Sequence, residues 1–142
     1  MEPLSIIGGI SATGAIVAAI TKTIKNLSDA KGRFDDADVT IRLLINELLT
    51  VKTSLVQIQD WAQYNLADSP THRELLEAFK NSIDGVKVAM DFMAEEVAGL
   101  VTNNPFWRNT KYTWNEAGMK DHAERLRSQY AALQLLIQAT RW

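Results

Sequence analysis

The chain has 142 residues, no cysteine and a net charge of −2, with 46% hydrophobic and 23% charged residues. That length suits one domain with a sizeable core, and the missing cysteines exclude disulfide frameworks, thiolate metal sites and cysteine nucleophiles. The near-neutral charge supplies no global attraction to nucleic acid or to anionic lipid, so any such attraction must come from local clusters.

The chain opens with a helix-length stretch, residues 4–20, and carries no charge between Glu2 and Lys22. The run is nearly as long as the ~20 residues a membrane span needs. Leu4, Ile6, Ile7, Ile10, Ile16, Val17 and Ile20 each favour insertion by roughly 0.3–0.6 kcal/mol. Gly8, Gly9, Gly14, Ser5, Ser11 and Thr13 oppose them. The balance lies near zero, which fits a segment able to live in two environments. Glu2 stands where a secretory signal would be positive, so the expectation is a retained helix in a cytoplasmic protein. Ile6, Ile10, Thr13, Val17, Ile20, Ile24 and Leu27 recur at steps of three and four and predict the buried stripe. The small residues Gly8, Gly9, Ala12, Gly14, Ala15, Ala18 and Ala19 would let a neighbouring helix come close.

Lys22, Lys25, Lys31 and Arg33 follow, opposed only by Asp29. They are candidate contacts for anionic lipid headgroups; the alternative is a solvated helix end where lysines offset the dipole. Gly32 is a candidate helix stop. Asp35 or Asp36 can cap a second helix, in which Ile41, Leu44, Leu48, Val51, Leu55, Ile58 and Ala62 step by three and four. Ile45, Leu49 and Val56 widen that stripe, which predicts more than one neighbouring helix.

Ser69-Pro70 is a start signal for the third helix. Leu76, Phe79, Ile83, Val86, Met90, Met93, Val97 and Leu100 form its stripe, and Asn103-Asn104-Pro105 ends it. Phe106, Trp107, Arg108, Lys111, Tyr112 and Trp114 then make an aromatic and basic segment, read as a loop or short helix interrupted near Gly118. Its rings suit either an interfacial belt or a plug at one end of a bundle. The last helix carries Met119, Ala123, Leu126, Tyr130, Leu133 and Ile137.

Four long amphipathic segments joined by short polar loops predict an all-α fold. The architecture expected is an antiparallel four-helix bundle with an additional short helix or loop before the last helix. The helices are expected over approximately 4–28, 37–64, 70–102 and 119–140, with the aromatic segment at 106–117, in one domain of residues 1–142.

The residues carry little chemistry. His72 and His122 lack helical metal-ligand spacing. Asp35-Asp36 and Glu95-Glu96 are adjacent pairs rather than converging carboxylates. Gly8-Gly9 lacks the preceding strand and following Gly-Lys-Ser/Thr of a phosphate loop. No enzyme, cofactor, metal or nucleic-acid partner is expected.

The opening Met1-Glu2-Pro3-Leu4-Ser5-Ile6-Ile7-Gly8 resembles the start of the HeLo-like N-terminal domains of fungal STAND receptors, which carry NACHT or NB-ARC domains, and of related cell-death proteins. The second helix, residues 41–55, the stretch Lys111-Tyr112-Thr113-Trp114 and residues 126–133 resemble later parts of that family's pattern. The resemblance implies a helical bundle that mediates programmed cell death, heterokaryon incompatibility or innate immunity in fungi. It also implies an N-terminal helix kept packed until oligomerisation releases it to permeabilise a membrane. The matching membrane-active residues are Leu4, Ile6, Ile7, Gly8, Gly9, Ile10, Gly14, Ile16, Val17 and Ile20. The implied partners are anionic membrane lipids on activation, further copies of the chain, and C-terminal receptor or sensor domains outside it. The implied localisation is cytoplasmic, with relocation to the plasma membrane. No nucleotide-binding or amyloid segment is present here, so the trigger would lie elsewhere. The competing expectation is a protein-interaction module of the same fold that never enters a bilayer.

Overall fold

The computed structural model describes residues 2–31, 34, 37–65, 73–101 and 114–140; residues 2–10, 65, 73 and 140 are described by their backbone alone. Four helices make up these residues: α1 (Glu2–Ala30), α2 (Asp38–Asn65), α3 (Arg73–Leu100) and α4 (Glu116–Thr140). No strand occurs among the described residues. The expected all-α antiparallel four-helix bundle is therefore present, and each helix is joined to its successor by a reversal of direction. The short helix or loop expected before α4 falls mainly on residues 102–113, outside the described residues, as do Gly32, Asp35, Asp36, Ser69, Pro70 and the Asn103-Asn104-Pro105 stop.

Side-chain contacts set the direction of each helix. Thr40 meets Glu116 and Glu47 meets Arg127, and Ser54, Ile58 and Trp61 line a groove with Gln134 and Ile137. Residue numbers rise together across that seam, so α2 and α4 run parallel. Glu96 meets His122, while Gly85 faces Gln129, so α3 and α4 run antiparallel. It follows that α1 and α3 are parallel. These two share the most extensive contact in the bundle, followed by α1 with α2 and α3 with α4, whereas α2 and α4 touch sparsely. α2 and α3 thus stand at diagonal corners of the bundle.

One apolar core joins all four helices. The α2 and α3 stripes predicted from spacing are buried throughout, from Ile41 to Ala62 and from Leu76 to Leu100. The stripe of α1 is rotated from expectation: Thr13, Ile16, Ile20, Thr23, Leu27 and Ala30 are buried, and Val17 and Ile24 sit half-buried at its edge. The cause is that α1 packs against both α2 and α3, so its buried line bisects the two contacts rather than following its largest side chains. On α2, Leu49 and Val56 do not widen the core; they are 45% and 42% exposed. They lie beyond Ile45 and Gln59 on the α1 side of α2, away from Glu47, Ser54 and Ile58, which face α4, so neither neighbour covers that shoulder.

The start of α4 also differs. Asn115 accepts the Gly118 backbone N–H through Oδ1 at 3.0 Å, and its carbonyl accepts the Met119 N–H at 2.9 Å. Asn115 is therefore the N-cap, and Gly118 lies inside the first turn instead of interrupting the chain. The cap offsets the poor helix propensity of glycine.

Candidate membrane-active helix and its surroundings

α1 is placed by its apolar face and aimed by its register against α2. Gly14 lies opposite Gln59, and a Cβ added there would meet the Gln59 amide at 4.0 Å, an ordinary contact. α2 continues for only six residues past Gln59, whereas α1 has twelve helical residues before Gly14. At ~1.5 Å per residue, the backbone of α1 runs roughly 9 Å past the end of α2. Leu4, Ile6 and Ile7 belong to this leading part of the helix, whereas Gly8, Gly9 and Ile10 lie level with the last residues of α2; the side chains of all six are outside the described residues.

The remaining residues expected to be membrane-active divide. Ile16 and Ile20 are wholly buried, Val17 and Gly14 half-buried. The core holds Ile16 and Ile20, each stabilised by roughly 1.5–3 kcal/mol of burial, so α1 leaves the bundle only if these contacts break. The expected close approach of a neighbour at small residues is corrected at three positions. Ala15 and Ala18 are exposed, and Gly14 has room for a methyl group. Ala12 and Ala19, seven apart, are the small residues packed against the core. Among the described residues no helix is long and apolar enough to cross a membrane.

Lys22, Lys25 and Lys31 are exposed, and Arg33 is outside the described residues. Lys22 and Lys25 lie more than a turn before the end of α1 at Ala30, beyond the reach of the helix-end dipole. Lys22 is also twelve residues from Ile10, about 18 Å along the axis. The lysines and the leading turns of α1 therefore occupy different levels of the packed bundle.

The opposite end of the bundle is closed. Trp114 lies half-buried with its ring 6.1 Å from that of Phe34, tilted by 46°. Its Nε1 donates to Glu116 Oε1 at 3.1 Å, and the Thr40 hydroxyl donates to Glu116 Oε2 at 2.9 Å. One carboxylate thus ties the start of α4 to the start of α2 and to the aromatic pair. The Thr40 hydroxyl, and then the Trp114 N–H, hold the Glu116 carboxyl below its ordinary range. Trp114 therefore acts as part of a plug, while Trp107, Arg108, Lys111 and Tyr112 lie outside the described residues.

Two further polar contacts hold α4. Arg127 donates to both Glu47 oxygens, at 2.8 and 3.1 Å, and Glu47 raises the guanidinium pKa above its ordinary value. Between α3 and α4, His122 Nε2 lies 3.5 Å from Glu96 Oε1. Glu96 Oε2 and His122 Nδ1 are buried without a hydrogen-bond partner. Below the Glu47–Arg127 clamp the α2–α4 seam opens into a shallow groove of about 170 Å³, with Ile58 and Ile137 between Ser54, Gln57, Gln134 and Gln138. None of these contacts was visible in the sequence, since each joins residues far apart in the chain and on helices whose facing was unknown. No group of three or more candidate metal ligands occurs among the described residues.

Comparison with protein-family models, with curated proteins and with solved structures finds no match to this chain.

Proposed function

We propose that this bundle is an N-terminal effector domain of the HeLo-like class, in which α1 engages a membrane after oligomerisation and triggers cell death. The observation that carries this reading is the register of α1: its leading residues, uncharged after Glu2 and including Leu4, Ile6 and Ile7, run past Asn65, the last described residue of α2. The resemblance of residues 1–8 to the family's opening motif points the same way. In this reading the leading turns insert first and the buried part of α1 follows only if the core yields. Lys22, Lys25, Lys31 and Arg33 reach anionic headgroups once the helix has left the bundle. The resting protein is cytoplasmic and moves to the plasma membrane, and sensor domains beyond this chain supply the trigger.

A second reading has its own support. Ile16, Ile20 and Leu27 are wholly buried, as expected of an interaction module whose first helix never leaves the core. Dye release from vesicles containing anionic lipid separates the two. The intact chain should release dye, alone or when joined to a dimerising partner. An Ile6→Glu, Ile10→Glu variant should remain helical by circular dichroism and release at least about tenfold less, since a charge in the apolar layer costs roughly 2.5–3.5 kcal/mol. Equal release by both proteins, or none by the intact chain even when dimerised, rejects the membrane reading and leaves the interaction module.

A further inference from the structure

Charge is segregated along the bundle. α1 carries none from Pro3 to Thr21, α4 none from Ser128 to Thr140, and α2 only Asp60 from Thr53 to Asn65. The Gly14–Gln59 contact and the groove between Trp61 and Ile137 bring these three stretches to one end of the bundle. α3 reaches the same end with the residues before Gly85, which faces Gln129. There its exposed side chains are all polar: Glu74, Glu77, Lys80, Asn81 and Asp84. The large apolar residues exposed at this end lie on α2 and α4 instead. Val56 is on the α1 side of α2, while Tyr64 and Leu135, 79% and 67% exposed, adjoin the α2–α4 groove. Tyr64 follows Trp61 of that groove by three residues, and Leu135 stands between its Gln134 and Gln138.

We infer that this α2–α4 face docks the packed bundle on the headgroup–acyl boundary of a bilayer of zwitterionic lipid. Charge selects that occupant. An uncharged face has no electrostatic hold on anionic lipid, and it carries no ion into the boundary at a cost in lost hydration. Ser54, Gln57, Gln134 and Gln138 beside Ile58 and Ile137 supply neutral donors and acceptors for ester carbonyls and bound water. Exposed Tyr64 and half-buried Trp61 each have an apolar ring with a polar tip, the character that favours this depth. The charged strip of α3 faces away, because α3 stands diagonally across from α2. Asp60 lies about 100° round α2 from Trp61, at the edge of the face, and opposes docking.

Docking in this manner rests on the membrane reading and deepens it: the bundle arrives on uncharged lipid with α1 still packed, and release of α1 is a later step. It needs neither oligomerisation nor insertion, so docking and membrane activity can fail separately.

Co-sedimentation with sucrose-loaded phosphatidylcholine vesicles tests the inference, beside dye release from the same vesicles. The intact chain should bind equally at low and high salt, since no pair of opposite charges is there to be screened. Tyr64→Glu with Leu135→Glu should weaken binding about tenfold or more, because membrane affinity scales with the apolar area buried. Asp60→Asn should tighten it. Val88→Glu, at an exposed apolar position of α3 outside the face, should leave it unchanged, and Ile6→Glu with Ile10→Glu should keep most of it. Circular dichroism checks each fold. Docking without dye release leaves this inference standing and tells against the membrane-active α1. No binding to phosphatidylcholine overturns the inference, as does binding that needs phosphatidylserine and disappears at high salt. So does binding that the Tyr64 and Leu135 changes leave intact, or that the Ile6 and Ile10 changes abolish. Sedimentation velocity without lipid covers the remaining occupant: self-association lost on changing Tyr64 and Leu135, with no vesicle binding, assigns the face to a second copy and overturns the inference.

Discussion

The two parallel seams of the bundle are built differently. α1 and α3 meet over most of their length in an apolar contact, with Ala12 and Ala19 packed against the core beside Ile16 and Ile20. α2 and α4 touch sparsely, and their seam is closed by Thr40–Glu116 and Glu47–Arg127 above a groove lined by glutamines. The lesson is that the helix proposed to reach a membrane is also the one most deeply engaged in packing. If the bundle opens, the α2–α4 seam is the weak line, since separating it breaks few apolar contacts and its polar clamps lose little on meeting water. Release of α1 from α3 is the harder step.

Core truncation on the two sides gives the largest test. Phe79→Ala, at a wholly buried α3 position, should cost about 3–5 kcal/mol in denaturant unfolding. Ile58→Ala, beside the groove and already 7% exposed, should fall below the roughly 2–5 kcal/mol usual for a buried isoleucine. Equal costs at the two positions would mean that the α2–α4 seam is as well packed as the rest.

A double-mutant cycle on Glu47 and Arg127 gives a smaller effect. The pair is two-pronged but largely exposed on the arginine side, so a coupling of about 0.2–1 kcal/mol is expected. Faster hydrogen exchange in α2 and α4 than in α1 and α3, when the clamp is removed, would show that it restrains the weak seam. An unchanged exchange pattern would assign that role to the apolar contacts alone.

The smallest effect concerns pH. The folded state holds the Glu116 carboxyl below its ordinary value of 4.5. The stability it contributes is therefore present above that value and is lost as pH falls through the lower, folded one. Thermal melts over this acid range should lose stability less steeply for Glu116→Gln than for the wild type. Because Glu116 is only half-buried, solvent screens it in part and the difference should be modest. An unchanged slope would mean that the Thr40 and Trp114 hydrogen bonds contribute nothing to holding this end.

Spacing in the chain determined how many helices form and nearly all of what they bury. The α3 stripe from Leu76 to Leu100 is a single unbroken series of steps of three and four, and every member is buried, because a helix of that period has only one face to hide. α2 behaved likewise at Ile41, Leu44, Leu48, Val51, Leu55, Ile58 and Ala62. In α1 apolar and small residues surround most of the helix, so among the described side chains the stripe read from Ile6 to Leu27 held at Thr13, Ile20 and Leu27, and the placement of α2 and α3 selected Ile16, Thr23 and Ala30 for burial with them. The exposure of Leu49 and Val56, the Asn115 cap that draws Gly118 into α4, and the polar clamps depended on the same kind of information. So did the register that carries the leading turns of α1 past the end of α2. Periodicity states which face of a helix avoids water. Only tertiary packing decides which neighbour covers that face, at what level along the axis, and which apolar residues remain uncovered, because those choices depend on contacts between segments that are distant in the chain.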